Sequence, residues 1–325
     1  MQPTTLIELL KHHTVYIQTH NFPDPDAIAS AFALQEFLSR HQVCASLCYD
    51  GRIDRISSRK MLESFGITMH SSSDIADMQP SDYIVLVDSQ KLNSNVTDFV
   101  GEEVACIDHH PIFNHYAYAY FDLRLTGACS SIIASYFQQT DTPLSPAAAS
   151  ALAYGIKMDT ADFTRGTTKL DTDMFNYLFD YADWSLVKSM YTNTLEYDDL
   201  RAYGAAISNI KIFGTTSFAY IPFHCTQALI AIISDFILTL DVVELAVTYA
   251  CNTDGLHFSI RNERTDLHAG HLINRALSGI GTGGGHAAMA GGMIPAEHIP
   301  QLGANLEISV QDRFLKAEYM ASGQR

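Results

Sequence analysis

Aspartate and histidine recur in four short stretches of this 325-residue chain. They are His20-Asn21-Phe22-Pro23-Asp24-Pro25-Asp26, Asp88, Asp108-His109-His110-Pro111 and Asp159. Imidazole and carboxylate in that order offer a seat for two divalent cations. Mixed nitrogen and oxygen ligands suit Mn²⁺, Fe²⁺ or Co²⁺ better than Ca²⁺, and the lack of thiolates counts against structural zinc. Paired ions ~3.5–4 Å apart can draw a nucleophile from water and steady the oxygens of an in-line displacement. Four aspartates against two such ions leave the seat near neutral, so a phosphate would not be repelled there. Pro23 and Pro25 fix φ and hold Asp24 and Asp26 apart, each able to address its own ion. One of these aspartates alone reads as a cap or a turn residue; the set does not.

Three of the stretches follow apolar, β-rich runs: Val15-Tyr16-Ile17 before His20, Ile84-Val85-Leu86-Val87 before Asp88, and Val104-Ala105-Cys106-Ile107 before Asp108. A run that ends in a carboxylate is how an open parallel sheet delivers groups to its carboxyl edge. Strand patterns near 14–20, 43–48, 82–88 and 103–107 alternate with helix patterns near 26–40 and 56–65, and helices follow near 127–139 and 145–158. That alternation predicts an α/β fold whose N-terminal domain is a doubly wound, mainly parallel sheet. The helix opening at Asp26 would point its first amides at the acidic cluster.

Beyond the first half the pattern turns polar and helical. We read residues 1–186 as a metal-binding catalytic domain, 187–206 as a helical linker and 207–325 as a smaller α/β domain with a mixed sheet. Its predicted elements are strands near 216–223, 243–251 and 256–261, and helices near 227–238 and 268–278 that lead into a glycine cluster.

Composition narrows the function classes. The net charge is −16, with 36 acidic against 20 basic residues. Duplex nucleic acid is bound through many Lys and Arg contacts to phosphate, so it is not an expected partner. A small anion remains open if cations supply the positive charge. The six cysteines form no C-x-x-C pair, the reading being reduced thiols in a cytoplasmic protein. The N-terminus has no basic region and apolar block of a signal peptide. The uncharged stretch over 214–234 is broken by Pro222, His224 and Gln227, so no membrane span is expected.

The motifs carry a resemblance. His20-x-x-Pro23-Asp24-x-Asp26, Asp88, Asp108-His109-His110 and Asp159 resemble the four motifs of the DHH phosphoesterase superfamily. Gly283-Gly284-Gly285-His286 resembles the signature of the DHH-associated domain that follows in its RecJ and NrnA branch. The likeness runs in order along nearly the whole chain. It implies a Mn²⁺-dependent phosphodiesterase or phosphatase with its active site in the interdomain cleft; Co²⁺, Fe²⁺ or Mg²⁺ are the alternative ions. It further implies that His20 and Asp24 hold the first metal, that Asp26, His109 and Asp159 hold the second, and that Asp88 bridges both. His110 would face the substrate phosphate, and Asp108 would orient a histidine from behind. An Arg at the place of Arg261 grips a terminal phosphate in the family, a task suited to bidentate bonding. The Gly283–His286 run would let backbone amides approach the substrate, with His286 as a further donor. Arg165, in Phe163-Thr164-Arg165-Gly166, is a further candidate phosphate contact on its position after Asp159.

Two other patterns lead nowhere. Gly279-x-Gly281-x-x-Gly284 matches a dinucleotide fingerprint but follows a helix pattern rather than a strand. Ser58-Arg59-Lys60 is similar to the basic motif of family II pyrophosphatases, yet it sits in the wrong half of the chain and reads as a solvated helix face.

A stand-alone, acidic, two-domain form resembles the NrnA-like branch, with no oligonucleotide-binding fold and no sensory or membrane region expected. The expectation is hydrolysis of linear dinucleotides and very short oligoribonucleotides, such as pGpG or pApA, to mononucleotides by two-metal activation of water. Alternatives are 3′-phosphoadenosine 5′-phosphate phosphatase, cyclic di-AMP phosphodiesterase, a catalytically silent nucleotide sensor and inorganic pyrophosphatase. A longer strand would need a positive track that this composition lacks. Base preference and polarity of attack stay open. So does the oligomeric state, with a homodimer the form entertained.

Overall fold

Proline sets where the two central helices of the first half begin, and the strands before them set where they point. The computed structural model describes residues 2–53, 56–112 and 114–322. The chain divides into two units, Met1–Thr194 and Leu195–Arg325. The first contains α1 (Pro3–Leu10), β1 (Val15–Gln18), α2 (Pro25–Arg40), β2 (Ala45–Tyr49), α3 (Ile56–Phe65), β3 (His70–Ser71), β4 (Tyr83–Val87), β5 (Glu102–Asp108), β6 (Tyr120–Leu123), α4 (Cys129–Thr140), α5 (Pro146–Asp159), α6 (Lys169–Phe179) and α7 (Trp184–Ser189).

All pairings in its six-stranded sheet are parallel, in the order β3-β2-β1-β4-β5-β6. That is the doubly wound order, and it reverses between β1 and β4. The strands are buried on both faces, which explains their near-continuous apolar sequence. Val15, Ile17, Leu47, Val85, Val87, Ala105 and Ile107 pack under the helices, with Leu34 and Phe37 of α2 and Leu152 of α5. The alternate residues Tyr16, Cys48, Ile84, Leu86 and Cys106 face the other way, under loop residues that include Met78, Val96, Phe99 and Tyr118. Helix α2 starts at Pro25 with Asp24 as its cap, and α5 starts at Pro146 capped by Ser145. Proline at the first helical position costs nothing, because its missing N–H would have had no partner.

The second unit contains α8 (Asp199–Ser208), β7 (Lys211–Phe213), β8 (Thr216–Ile221), α9 (Gln227–Leu238), β9 (Leu245–Asn252), β10 (Gly255–Asn262), α10 (Ala269–Ala276), β11 (Thr282–Gly285), β12 (Met289–Pro295) and α11 (Leu306–Ser322). Its sheet is mixed, ordered β11-β12-β10-β9-β8-β7, with β8 and β9 parallel and the other pairs antiparallel. Helices α10 and α11 pack on one face through Leu272, Ile273, Val310 and Phe314. Helices α8 and α9 pack on the other through Ala206, Ile230, Ile233 and Ile237.

The 187–206 stretch is not one continuous helical connector. It holds the end of α7, a turn region and most of α8, and α8 contributes Ala202 and Ala206 to a core of the second unit. Gly283–Gly285 of the glycine cluster lie on an edge strand, β11. Strand β12 (Met-Ala-Gly-Gly-Met-Ile-Pro) has little strand propensity of its own and is made by pairing with β10 on one side and β11 on the other, a tertiary override of local preference. Among the described residues no helix is long and apolar enough to cross a membrane.

Candidate metal centre

The reversal between β1 and β4 opens the carboxyl edge of the first sheet, because the connections leave in opposite directions. His20 lies just past β1, Asp88 just past β4, and Asp108 is the last residue of β5 with His109 and His110 directly after it. Asp24 caps α2, Asp26 sits in its first turn, and Asp159 is the last residue of α5. The backbone turns abruptly at Asp88, which adopts left-handed φ of 57°. A non-glycine residue there is uncommon and clusters at sites where geometry is over-determined.

These side chains converge. Asp88 is central: its Oδ1 lies 3.2 Å from His109 Nε2 and 3.7 Å from His110 Nδ1, and its Oδ2 lies 3.7 Å from His20 Nε2. His20 Nε2 is 3.9 Å from Asp24 Oδ1, and His109 Nε2 is 3.3 Å from Asp159 Oδ2. Three sets of donors lie within 4.8 Å of one another: His20, Asp24 and Asp88; Asp26, His109 and Asp159; and Asp88, Asp108, His109 and His110.

Each imidazole is held from behind. His20 Nδ1 lies 2.8 Å from the Asn21 carbonyl and His109 Nδ1 lies 2.9 Å from the Thr126 carbonyl. A carbonyl can only accept, so Nδ1 carries a proton, and Nε2 is the nitrogen turned to the cluster, the one a cation would take. Asp108 anchors His110 instead, with Oδ1 2.9 Å from Nδ1, and is itself fixed by the Gln90 side-chain amide at 2.6 Å and the His109 N–H at 2.8 Å. Asp24 Oδ1 accepts the N–H groups of Asp26 and Ala27. The Asp26 carboxylate accepts the first amides of α4, from Cys129 at 2.7 Å and Ser130 at 2.9 Å, where the helix dipole favours negative charge.

His20, His109, Asp26 and Asp159 are all pushed toward their protonated forms. Burial pulls the His20 imidazole down, but Asp24 and Asp88 outweigh it and lift the group to about 9. Burial likewise opposes charge on His109, and Asp88, Asp26 and Asp159 together raise it to about 11. Asp159 is pushed up to about 6 by burial and by Asp24 and Asp88, against the pull of His109 and Arg165. Asp26 is raised well above the carboxylate range by burial first, then by Asp88 and Asp159. A shared positive charge is what this site is short of.

The donor set fits divalent cations. Asp88 Oδ1 and His109 Nε2 are buried and, although 3.2 Å apart, complete no hydrogen bond with each other or with any other group. Unpartnered buried polar atoms are costly and rare, and a bound cation would satisfy both. All ligands would be carboxylate oxygen or imidazole nitrogen, as hard or borderline ions prefer.

Arg165 joins the rim, donating to the Asp159 carbonyl at 2.7 Å with its guanidinium 3.6 Å from Asp159 Oδ1. The remaining residues singled out in the sequence lie in the second unit. Arg261 is on β10 opposite Met289 of β12, and Gly285 of β11 is opposite Ala290. The His286 N–H donates to the Met289 carbonyl at 2.8 Å, so Arg261 and the glycine run sit at one end of the same sheet, two strands apart. The Arg261 guanidinium is already paired with Asp235 and donates to Ser259 Oγ at 3.1 Å. Part of the glycine run serves packing. A Cβ on Gly283 would meet Ile273 Cγ1 at 2.8 Å, and one on Gly285 would meet the Met289 carbonyl at 2.5 Å. Gly284 would meet nothing within 4 Å.

Sequence reasoning missed Asp171 and Gln90. Asp171 is fully buried and accepts from Gly127 N at 2.8 Å, Thr126 Oγ1 at 2.9 Å, Ser131 Oγ at 2.6 Å and Thr168 N at 2.7 Å. It thereby fixes the turn whose Thr126 carbonyl orients His109 and whose continuation, α4, receives Asp26. Thr168-x-x-Asp171 is a capping box, a signal readable in the sequence as a helix start though not as a support for the site. Nothing local marks Gln90.

The DHH family, N-terminal domain, matches residues 14–156, and the DHHA1 domain matches residues 215–311. An uncharacterized protein of Methanocaldococcus jannaschii is 30% identical over 287 residues, 88% of this chain and 59% of that protein. The chain thus spans about three-fifths of the length of that relative. A probable bifunctional oligoribonuclease and PAP phosphatase NrnA of Streptococcus mutans is 25% identical over 304 residues, 89% of this chain and 92% of that protein. In fold, the chain is similar to an exopolyphosphatase-related protein from Bacteroides fragilis, with a TM-score of 0.74 at 18% identity, over 98% of this chain and 96% of the other. With both domains matched in order, and the acidic cluster built on the first, the chain belongs to the DHH phosphoesterase family in its two-domain form.

Proposed function

We propose that this chain is a metal-dependent phosphodiesterase that hydrolyses linear dinucleotides and very short oligoribonucleotides, such as pGpG or pApA, to mononucleotides. The observation that carries its metal dependence is the pair of buried atoms Asp88 Oδ1 and His109 Nε2, 3.2 Å apart with neither completing a hydrogen bond, among the carboxylates of Asp24, Asp26, Asp88, Asp108 and Asp159. His20, Asp24 and Asp88 would hold one divalent cation, and Asp26, His109 and Asp159 the other, with Asp88 common to both. Two such ions, Mn²⁺ foremost, supply a nucleophile from water and charge stabilisation at phosphorus.

The chain's own residues do the rest. Asp108 takes one imidazole nitrogen of His110 and raises its basicity against the opposing effect of burial. The imidazolium so favoured has Nε2–H to donate to a phosphate oxygen. Arg165, at the rim beside Asp159, supplies a second donor. Arg261, Gly283, Gly284, Gly285 and His286 are assigned to a further substrate phosphate. Gly284 supports that assignment, since no internal contact explains its missing side chain, whereas a close ligand would.

The S. mutans relative, by its name a probable oligoribonuclease and PAP phosphatase, supports short substrates and favours 3′-phosphoadenosine 5′-phosphate as the second reading. A panel of pGpG, pApA, 3′-phosphoadenosine 5′-phosphate, cyclic di-AMP and pyrophosphate, assayed with Mn²⁺ by chromatography, decides between them. Mononucleotides formed fastest from the dinucleotides support the first reading. Turnover confined to pyrophosphate or cyclic di-AMP would displace it.

A further inference from the structure

Phe22 stands two residues after His20 and two before Asp24, at most ~7 Å of extended chain from either Cα. It carries two costs at once. Its backbone is left-handed, with φ 56°, a region that non-glycine residues seldom enter. Its side chain is apolar, yet the residue is 60% exposed.

The neighbouring residues are built around that conformation. Phe22 N–H donates to the Asp50 carbonyl at 3.1 Å. The ring lies against Gly51, where a Cβ would come to 2.9 Å from ring Cε1 and 3.0 Å from Cδ1 and Cζ, and Gly51 has φ 82°. Asp50 is tied down by Thr97 Oγ1 at 2.6 Å, and Thr97 N donates to the Asn21 side chain at 3.2 Å. The ring is therefore backed on one side and open on the other.

Presenting the neighbouring ligands uses the backbone of this turn, since the Asn21–Phe22 peptide bears both the carbonyl on His20 and the N–H on Asp50, but it does not use the aromatic ring. His20 is anchored by the Asn21 carbonyl and Asp24 by the first amides of α2. A polar side chain at position 22 would meet water at lower cost. What a fixed, exposed aromatic face offers is stacking, and every nucleobase has a π-face to stack regardless of its identity.

We propose that Phe22 is the platform on which a nucleobase of the substrate stacks beside the scissile phosphate. The proposal rests on the dinucleotide reading above and adds the residue that separates a nucleotide from a bare phosphoester. It also accounts for how a chain with net charge −16 can favour nucleotides without a basic track.

The test compares a dinucleotide with its abasic analogue in wild-type, Phe22→Ala and Phe22→Tyr proteins. Wild type should show a KM lower by roughly tenfold or more for the dinucleotide, the scale of one base–aromatic stack. Phe22→Ala should lose that discrimination and Phe22→Tyr should keep it. Equal losses on both substrates in Phe22→Ala, or no loss on either, would overturn the platform. Phe22→Trp gives a readout independent of turnover: its fluorescence should be quenched by the dinucleotide and not by the abasic analogue. Quenching with no dinucleotide turnover in any variant would retain the platform and sink the hydrolytic reading. Absence of quenching alongside normal turnover would do the reverse.

Discussion

The Asp171 carboxylate accepts the Gly127 N–H at 2.8 Å and so pins a turn on which two candidate ligands depend, His109 through the Thr126 carbonyl and Asp26 through the start of α4. A Cβ on Gly127 would lie 2.9 Å from Asp171 Oδ2 and 2.6 Å from Thr160 Cγ2, so the close approach needs glycine.

Asp171→Asn should destabilise the fold by about 3 kcal/mol at neutral pH, since buried donors lose a charged acceptor. Burial opposes ionisation of Asp171, but Ser131, Thr168 and Gly127 outweigh it and lower its pKa. A lowered folded-state pKa contributes stability above the ordinary aspartate range that is lost as pH falls through the folded-state value. Urea unfolding should therefore separate wild type and variant widely at pH 7, with the gap closing in acid. A gap independent of pH would assign the effect to shape alone.

Gly155 of α5 is a second close approach. A Cβ there would meet Ser130 Oγ at 2.4 Å, Ala29 Cβ at 3.0 Å and Asp26 Oδ1 at 3.1 Å. Gly155→Ala should cost about 1–3 kcal/mol by overpacking and weaken Mn²⁺ binding through the displaced Asp26. Adding Ser130→Ala should recover part of both losses in calorimetry; no recovery would place the strain elsewhere.

Chelation should abolish turnover and Mn²⁺ should restore it. Asp88→Asn, which tolerates the left-handed backbone, should lower kcat by on the order of 10³-fold, about 4 kcal/mol of barrier. Wild type at a Mn²⁺ concentration 100 times its Kd should gain about 2.7 kcal/mol of stability, read as a raised Tm, and Asp88→Asn much less. Equal metal stabilisation in both proteins would remove Asp88 from the centre.

Arg261 and Asp235 make opposite predictions. Arg261→Ala should raise the KM of a 5′-phosphorylated dinucleotide about tenfold or more, a charge-assisted bond being worth about 1.5–3 kcal/mol. Asp235→Ala frees the same guanidinium and should lower KM. An unchanged KM in both would move phosphate recognition away from β10.

What could be read along the chain was local. Apolar runs ending in Asp88 and Asp108, and Pro25 after Asp24, declare strands and a capped helix through period and φ, which depend on neighbours a few residues away. The α10 and α11 faces follow the same logic. Val310, Phe314 and Ala317 repeat at helical spacing under the second sheet, a periodicity legible in the sequence. The tertiary structure alone decided which residues meet. Asp171 reaches Gly127 across 44 residues and Asp26 reaches Ser130 across 104. Gly283 owes its missing side chain partly to Ile273, and Arg261 has its charge met by Asp235. Such pairings follow from strand order and helix approach, which no short window of sequence contains.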